Sequence, residues 1–505
     1  MSLTKTLVGR RNFLIATGMA SAGALTTHSA MAVGQAATAI CPKGANQATT
    51  IKGIVAQKPL HTTPPLEVMM GVGEVMNGMI APAKATPAVY VENGKLSPGN
   101  SKAGDVTAGN VGDKWASGVK ITANEGDVGG VFVKGLGTEY LLADSNIDLS
   151  GDGIGSGGLG PAQGCGAGVE EGYATLTIRN CTITTSGQFR NATSVTNHGI
   201  LKVYNSTLTA HGAPFTPDMN TKQMKLLGVD GNSRCHVTMG NSYSYFYYCT
   251  IISGGWGALS MDDSDGFSYQ EVNHCKVRTI TSGYGTYSDR GCHNFINSCD
   301  FDVASMAGIL EGEAELTFKD TKAKCGSHFA LFRGRPGCVG TLSVTGGDIV
   351  CKSEGILAKS GDADILLDGV KFNSESGILL KSAAVVDEPD AALAAPTKGE
   401  KVFGIHATLR NMDVTGDVVH TEDMDNRSMT VYLEGTTLKG AIKDAAISMN
   451  QFSKWVATAD SNVTIVGEID VSQIDAPPGV TITAVAGQSG TYKLASCGTL
   501  ILKAV

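Results

Sequence analysis

Past residue 32 the chain has no apolar run approaching the roughly 18 residues that a membrane-spanning helix requires. Basic clusters are missing too: 39 Lys and Arg stand against 47 Asp and Glu, a net charge of −8, so the electrostatic footprint of a nucleic-acid binder is absent. There is no CxxCH for haem attachment and no GxxxxGK to cradle phosphates. The glycine-rich GDGIGSGGLGPAQGCGAG from Gly151 lacks the flanking strand and helix of a dinucleotide site and reads as a coil turn. No other cofactor motif is evident. Aromatic residues are only 6% of the chain.

What the chain has instead is glycine, 65 of 505 residues, and many short segments rich in Thr, Val and Ile, the composition of brief strands joined by turns. Residues 1–32 read as a signal peptide. Lys5 and the pair Arg10-Arg11 precede a modest apolar run that ends in Ala30-Met31-Ala32, a small-residue cleavage site. The segment Gly9-Arg10-Arg11-Asn12-Phe13-Leu14 resembles the bacterial twin-arginine signal. That resemblance implies the twin-arginine translocase as a partner during export and a periplasmic or secreted destination. It also bears on the twelve cysteines. Substrates of this route fold in the reducing cytoplasm, and the central cysteines recur at repeat spacing rather than in close pairs, so buried free thiols are expected.

The repeat is the dominant signal. A short strand followed by a small or polar pair recurs in LTIRNCTI (176–183), LKVYNSTL (201–208), FYYCTI, EVNHCKV, INSCDF, LSVTGGDIV, ILLDGVKF, TLRNMDV and VYLEGTTL. The second residue of each pair falls at Cys181, Ser206, Cys249, Cys275, Cys299, Thr321, Gly347, Val370, Met412 and Thr436. Most steps are 22 to 26 residues; two longer ones, near 43 and 42, contain the insertions HGAPFTPDMN and DEPDAALAAPTKGEK. This period, without the Leu and Asn framework of leucine-rich repeats, is one turn of a parallel β-helix. Equivalent side chains then stack about 4.8 Å apart into ladders. A packed thiol ladder at Cys249, Cys275 and Cys299 is the expectation, with a metal site the competing reading.

The Asn/Ser/Cys-rich ladder resembles the pectate lyase-like superfamily of right-handed β-helix proteins over residues 136 to 445. The expected fold is all-β: a single right-handed parallel β-helix, a solenoid, with N- and C-terminal capping segments. Residues 33–135 are assigned to an N-terminal cap or flanking arm, 136–445 to the solenoid and 446–505 to a C-terminal cap, with a short helix in AAISMNQFSKWV.

A second ladder supplies the chemistry. GALSMD from Gly257, GTYSDR from Gly285, GILEGE from Gly308 and ALFRGR from Ala330 are successive copies. Their sixth positions are Asp262, Arg290, Glu313 and Arg335, and their fourth are Ser260, Ser288, Glu311 and Arg333. Side chains two apart share a face, so these columns make a charged strip about four coils long. Asp289, Trp256, Tyr284, Tyr287, His293, His328 and the run Asp262-Asp263-Ser264-Asp265 surround it. The competing reading is an exposed sheet face on which neighbouring charges merely offset one another. Upstream, SYSYFYY carries Tyr243, Tyr245, Tyr247 and Tyr248, which alternation directs two to each side of a strand, either as a stacking platform or as a core stack. His198 and His211, each before Gly, read as turn residues.

Such a strip supports proton transfer, with Asp262, Asp289, Arg290, Glu313, Arg335 and Tyr287 as catalytic candidates. Trp256, Tyr284, Glu311, Arg333, His293 and Tyr245 are the candidates for substrate binding. The resemblance implies carbohydrate as substrate and calcium as a cofactor candidate at Asp262, Asp263 and Asp265, with Arg290 handling the proton; a solvated acidic loop is the alternative at those carboxylates. The paired-Asp and Gly-His-Gly signatures of polygalacturonases are incomplete here. Three classes therefore remain: an acid/base enzyme (lyase, isomerase, epimerase or glycoside hydrolase), a non-catalytic carbohydrate- or surface-binding β-helix, and a structural solenoid.

Overall fold

The computed structural model describes residues 49–56, 58, 85–102, 105–153, 164–215, 227–262, 267–334, 338–359, 361–383, 403–421 and 427–505. The signal segment, the Met-rich stretch, Asp263, Asp265 and Arg335 lie outside them. Residues Lys43–Val505 form one unit.

That unit is a parallel β-helix solenoid whose central coils carry three short strands each. Face A stacks Thr175–Arg179, Ile200–Tyr204, Tyr243–Tyr247, Ser268–Asn273, Cys292–Asn297 and Glu315–Lys319, every neighbour parallel. Face B stacks Thr182–Thr185, Thr207–Ala210, Thr250–Ser253, Lys276–Thr279 and Asp300–Val303. Face C stacks Thr193–Val195, Arg234–Thr238, Gly257–Met261, Tyr284–Ser288, Gly308–Glu311 and Ala330–Arg333. The strands alternate as a two-residue period requires: Leu176 and Ile178 are buried, while Thr175, Thr177 and Arg179 face outward. The buried set of successive coils forms one continuous apolar core.

The corner between faces A and B shows why the repeated pair exists. Its first residue adopts the left-handed conformation in coil after coil: Asn180 (φ 54°), Asn205 (48°), Tyr248 (59°), His274 (53°), Ser298 (52°), Asp320 (47°), Gly346 (63°), Gly369 (62°), Asn411 (51°) and Gly435 (60°). Asn, Asp and Gly tolerate this region best. The second residue turns inward and does more than fit. The Cys249 backbone N–H donates to Cys275 Sγ (3.3 Å), that of Cys275 to Cys299 Sγ (3.4 Å) and that of Cys299 to Thr321 Oγ1 (3.4 Å). Likewise the Cys181 N–H donates to Ser206 Oγ (3.0 Å) and the Met412 N–H to Thr436 Oγ1 (3.2 Å). Each of these five side chains thus accepts the N–H that the turn one coil earlier would leave unpaired.

Cys275→Ala is therefore expected to destabilise by about 1–3 kcal/mol, the cost of a buried unpaired donor. Cys275→Ser, which keeps an acceptor, should lose much less. Urea unfolding of the two variants separates them, and equal losses would mean that the ladder matters only for packing.

Among the described residues ten cysteines are buried thiols outside any disulfide, as the repeat spacing led us to expect, but Cys497, which lies outside the ladder, is disulfide-bonded. At the C-terminal end the expected helix is instead the strand Ile442–Met449, followed by a turn and the strand Lys454–Val456. Ala445, Ile447 and Met449 are buried and alternate with partly exposed Ala446 and Ser448, so a period of two overrode helix propensity once the preceding coil offered a parallel edge. The antiparallel strand Gly490–Lys493 pairs with the last parallel strand, Thr499–Ala504. Near the other terminus Thr50–Lys52 pairs antiparallel with Glu468–Asp470, far along the chain.

Candidate functional site

Face C collects the chemistry. Strand register sets Met261 beside Ser288, Ser288 beside Leu310, Glu311 beside Arg333 and Arg333 beside Lys359. Asp262 and Asp289 each come one residue after a paired position, so successive coils bring Asp262, Asp289, Glu311, Arg333 and Lys359 into one outward column. Ser288 and Thr286 point the other way, into the solenoid, where Asn294 Nδ2 donates to both hydroxyls (3.2 and 2.6 Å).

The column is bonded across coils. Arg234, from the coil before Asp262, forms an ion pair with it and lies over the Trp256 ring, 4.2 Å from its centroid. Ser260 Oγ and the Tyr284 hydroxyl are 2.9 Å apart, and the Tyr284 and Tyr287 rings are 5.7 Å apart. The Tyr287 hydroxyl donates to Glu311 (3.0 Å), whose other oxygen accepts from Arg333 (3.3 Å). Asp289 is half-buried and accepts the backbone N–H of Arg290 (2.7 Å). Around the polar groups, Leu227, Val229, Met306, Ile309, Leu331 and Leu357 pack into a second apolar cluster outside the solenoid core.

This enclosure separates the protonation states. Burial, and then the charge of Glu311, hold the Asp289 carboxyl well above the usual carboxylate range, with Asp262 adding to the effect. Burial and the charges of Asp289 and Glu311 likewise raise Tyr287. Burial works against the Arg234 cation, yet Asp262, Tyr284 and Tyr287 beside it outweigh that and raise its pKa. Asp262 Oδ1 and Arg234 Nε are buried without a hydrogen-bond partner among the described residues, although their side chains are ion-paired with each other.

Of the residues singled out from sequence, Asp262, Asp289, Glu311, Arg333, Tyr284, Tyr287 and Trp256 come together here. The expected succession of Asp262, Arg290 and Glu313 does not form, because Gly257 pairs with Tyr284 rather than Gly285, and Gly308 pairs with Thr286 rather than Gly285. These two one-residue slips replace Arg290 by Asp289 and Glu313 by Glu311, and put three carboxylates in succession. Glu313 lies two residues past its strand, where its backbone carbonyl accepts from Gly291 (3.0 Å). Arg290 follows Asp289 in the adjoining turn and is half-buried. His293 and Tyr245 belong to face A; His293 Nδ1 lies 2.7 Å from Glu315. His328 sits against the Glu354 carbonyl (3.1 Å). The tyrosines do not divide between two sides: Tyr243, Tyr245 and Tyr247 all face outward while Ser244 and Phe246 are buried, because odd positions share a side.

Arg234 escaped the sequence reading because its strand, Arg234–Thr238, opens on Arg where later copies open on Gly or Ala. Extending the second ladder back by one period would have found it. The described residues include no group of three His, Cys, Asp or Glu side chains placed to hold a metal ion. Asp262 is spoken for by Arg234, whose positive charge would face a calcium ion at that carboxylate. We derive no step through calcium.

Comparison of the chain with protein-family models, with curated proteins and with solved structures finds no match.

Proposed function

We propose that this protein is an exported β-helix enzyme that performs acid/base chemistry on a carbohydrate at face C, with Asp289 as the proton donor. The observation that carries the reading is the split among three stacked carboxylates. Asp262 and Glu311 each have an arginine, whereas burial and the Glu311 charge hold the Asp289 carboxyl between them well above the usual carboxylate range. Environments that push neighbouring carboxyl groups apart in this way are how one site holds both an acid and a base at one pH.

Hydrolysis of a glycosidic bond suits these groups better than elimination. An eliminating enzyme needs a basic side chain free to take a proton from carbon, and both Arg234 and Arg333 are held by carboxylates. Asp289 can protonate a leaving oxygen while Glu311, oriented by Tyr287 and Arg333, acts as base or nucleophile. The coil rise of about 4.8 Å sets backbone spacing near the roughly 5–5.5 Å carboxyl separation of retaining enzymes. Trp256 and Tyr284, buried in the second apolar cluster, back the column. The resemblance to pectate lyase-like proteins agrees with a glycan substrate, by analogy of fold. Arg290, beside Asp289, favours the second reading, an elimination or isomerisation that uses an arginine.

The test is a screen of the mature protein against neutral and acidic polysaccharides, following reducing ends and absorbance at 235 nm together. Reducing ends without absorbance are expected. New absorbance would move the assignment to a lyase with Arg290 as base, and silence in both channels would remove glycan cleavage.

A further inference from the structure

Six of the 13 tyrosines lie on one stretch of face A and its corner, although aromatic residues are scarce in the chain. Three outward columns run there across the coils. One sets Tyr243 beside Tyr269 and then His293, the next sets Tyr245, Glu271 and Phe295 in line, and the third aligns Tyr204, Tyr247 and Asn273. Ring centroids step from coil to coil at 6.4 Å (Tyr243 to Tyr269), 5.3 Å (Tyr269 to Phe295) and 5.3 Å (Tyr204 to Tyr247, stacked). At the edges Tyr248 is 63% exposed and Phe267 43%. Burial does not account for these rings, since the strand's other positions, Ser244 and Phe246, already fill the core side.

A carboxylate stands in the middle of the rings. Glu271 accepts from the Tyr247 hydroxyl (3.3 Å), the Tyr269 hydroxyl (3.2 Å) and Asn273 Nδ2 (2.7 Å), so the two rings are held in place by their hydroxyls. We infer that this surface is a binding platform for a neutral, unbranched polysaccharide, separate from the carboxylate column of face C. A pyranose ring is itself amphipathic. Its C–H face covers a tyrosine or phenylalanine ring, and its rim hydroxyls reach Glu271, Asn273 and the tyrosine hydroxyls. Rings repeated at each coil match a chain of repeated sugars rather than one small molecule. The face carries both signs, Glu271 against Lys202 beside Tyr245 and Arg179 over the Tyr204 ring, so it has no basic field to select a polyanion and suits a neutral glycan. A second copy of this face would have to desolvate all three charges, which a glycan with rim hydroxyls does not require.

The inference does not rest on the assignment of face C, and one experiment keeps the two apart. The mature protein is run through native gels containing laminarin, hydroxyethylcellulose, soluble starch or arabinoxylan, with polygalacturonate as the acidic comparison. Retardation by at least one neutral glycan is expected. It should weaken at least tenfold in the double variant Tyr243→Ala/Tyr269→Ala and persist in Asp289→Asn. Hydroxyl-radical footprinting of the unaltered protein with the retarding glycan should protect residues 243–248 and 267–271, a readout that does not depend on a variant folding. Migration unchanged by every neutral glycan would overturn the platform. So would protection confined to face C, or retardation lost in Asp289→Asn but kept in the tyrosine variant.

Discussion

Asp289→Asn is expected to reduce turnover by roughly 10²- to 10⁴-fold, the range for loss of a positioned general acid, without loss of stability. The stability half follows from linkage. Burial and the Glu311 charge raise the Asp289 pKa in the folded protein, so the folded state binds this proton more tightly than the unfolded chain. That contribution is fully present below the unfolded value, about 3.9, and is lost as pH rises through the raised folded value. Asn carries no ionisation at this position. Relative to the native protein, the variant should gain stability over that window and keep the gain at higher pH. Its Tm against pH, set beside its activity, gives both halves of the test. If Asp289→Asn lowers Tm and activity together at every pH, Asp289 is a structural residue and the proton-donor role is lost. The same titration sets the alkaline limb of the activity profile, which should fall as Asp289 loses its proton.

Arg190→Met should give the opposite pattern, a large loss of stability with chemistry unchanged in whatever remains folded. Arg190 is fully buried, and its guanidinium donates to backbone carbonyls of Gly164 (3.1 Å), Glu125 (3.1 Å), Ser150 (2.6 Å), Gly151 (3.1 Å) and Val128. Four of these carbonyls come from turns of earlier coils and the fifth from Val128 at the start of a strand, so one side chain ties several segments together. Burial lowers the arginine pKa, and the five carbonyl dipoles stand in for a counter-charge. Met keeps the volume and removes every donor. Each buried carbonyl left without a partner costs on the order of 1–3 kcal/mol, so a total above about 4 kcal/mol is expected even after partial relaxation. Arg190→Lys should recover little, because an ammonium cannot reproduce the planar fork. Denaturant unfolding measures both; a loss under about 1 kcal/mol would mean that water replaces the guanidinium without difficulty.

The sequence signalled the repeat clearly because stacking imposes a constant coil length. Period alone located the pairs from Asn180-Cys181 to Gly435-Thr436 and hence the corner where the chain turns. It did not say why Cys, Ser and Thr prevail over Ala, since that preference comes from an N–H one coil away. The second ladder was visible as a pattern but misaligned, by one residue between the first and second copies and by one more between the second and third. Its copies begin on Gly, and Gly tells nothing of which neighbour it pairs with; a shift of one residue along a strand exchanges the two faces. Thus Asp262, Asp289, Glu311 and Arg333 were all recognised as chemistry, but the place of Asp289 in the column came only from the pairing of Met261 with Ser288.

Local sequence determined what the coils must satisfy: inward apolar residues at alternate positions, a left-handed residue at the corner and, in many coils, a Ser, Cys or Thr after it. These are short-range demands of backbone geometry, so a single strand and turn already display them. Tertiary structure decided what lies beside what. It brought Arg234 to Asp262 from the preceding coil, raised the Asp289 pKa by burying it between two carboxylates, and put Tyr243, Tyr245 and Tyr247 on one outward face with Glu271 among them. The reason is physical. Register between coils is settled by the packing of whole strands, and the energy of a charge depends on neighbours more than twenty residues away along the chain.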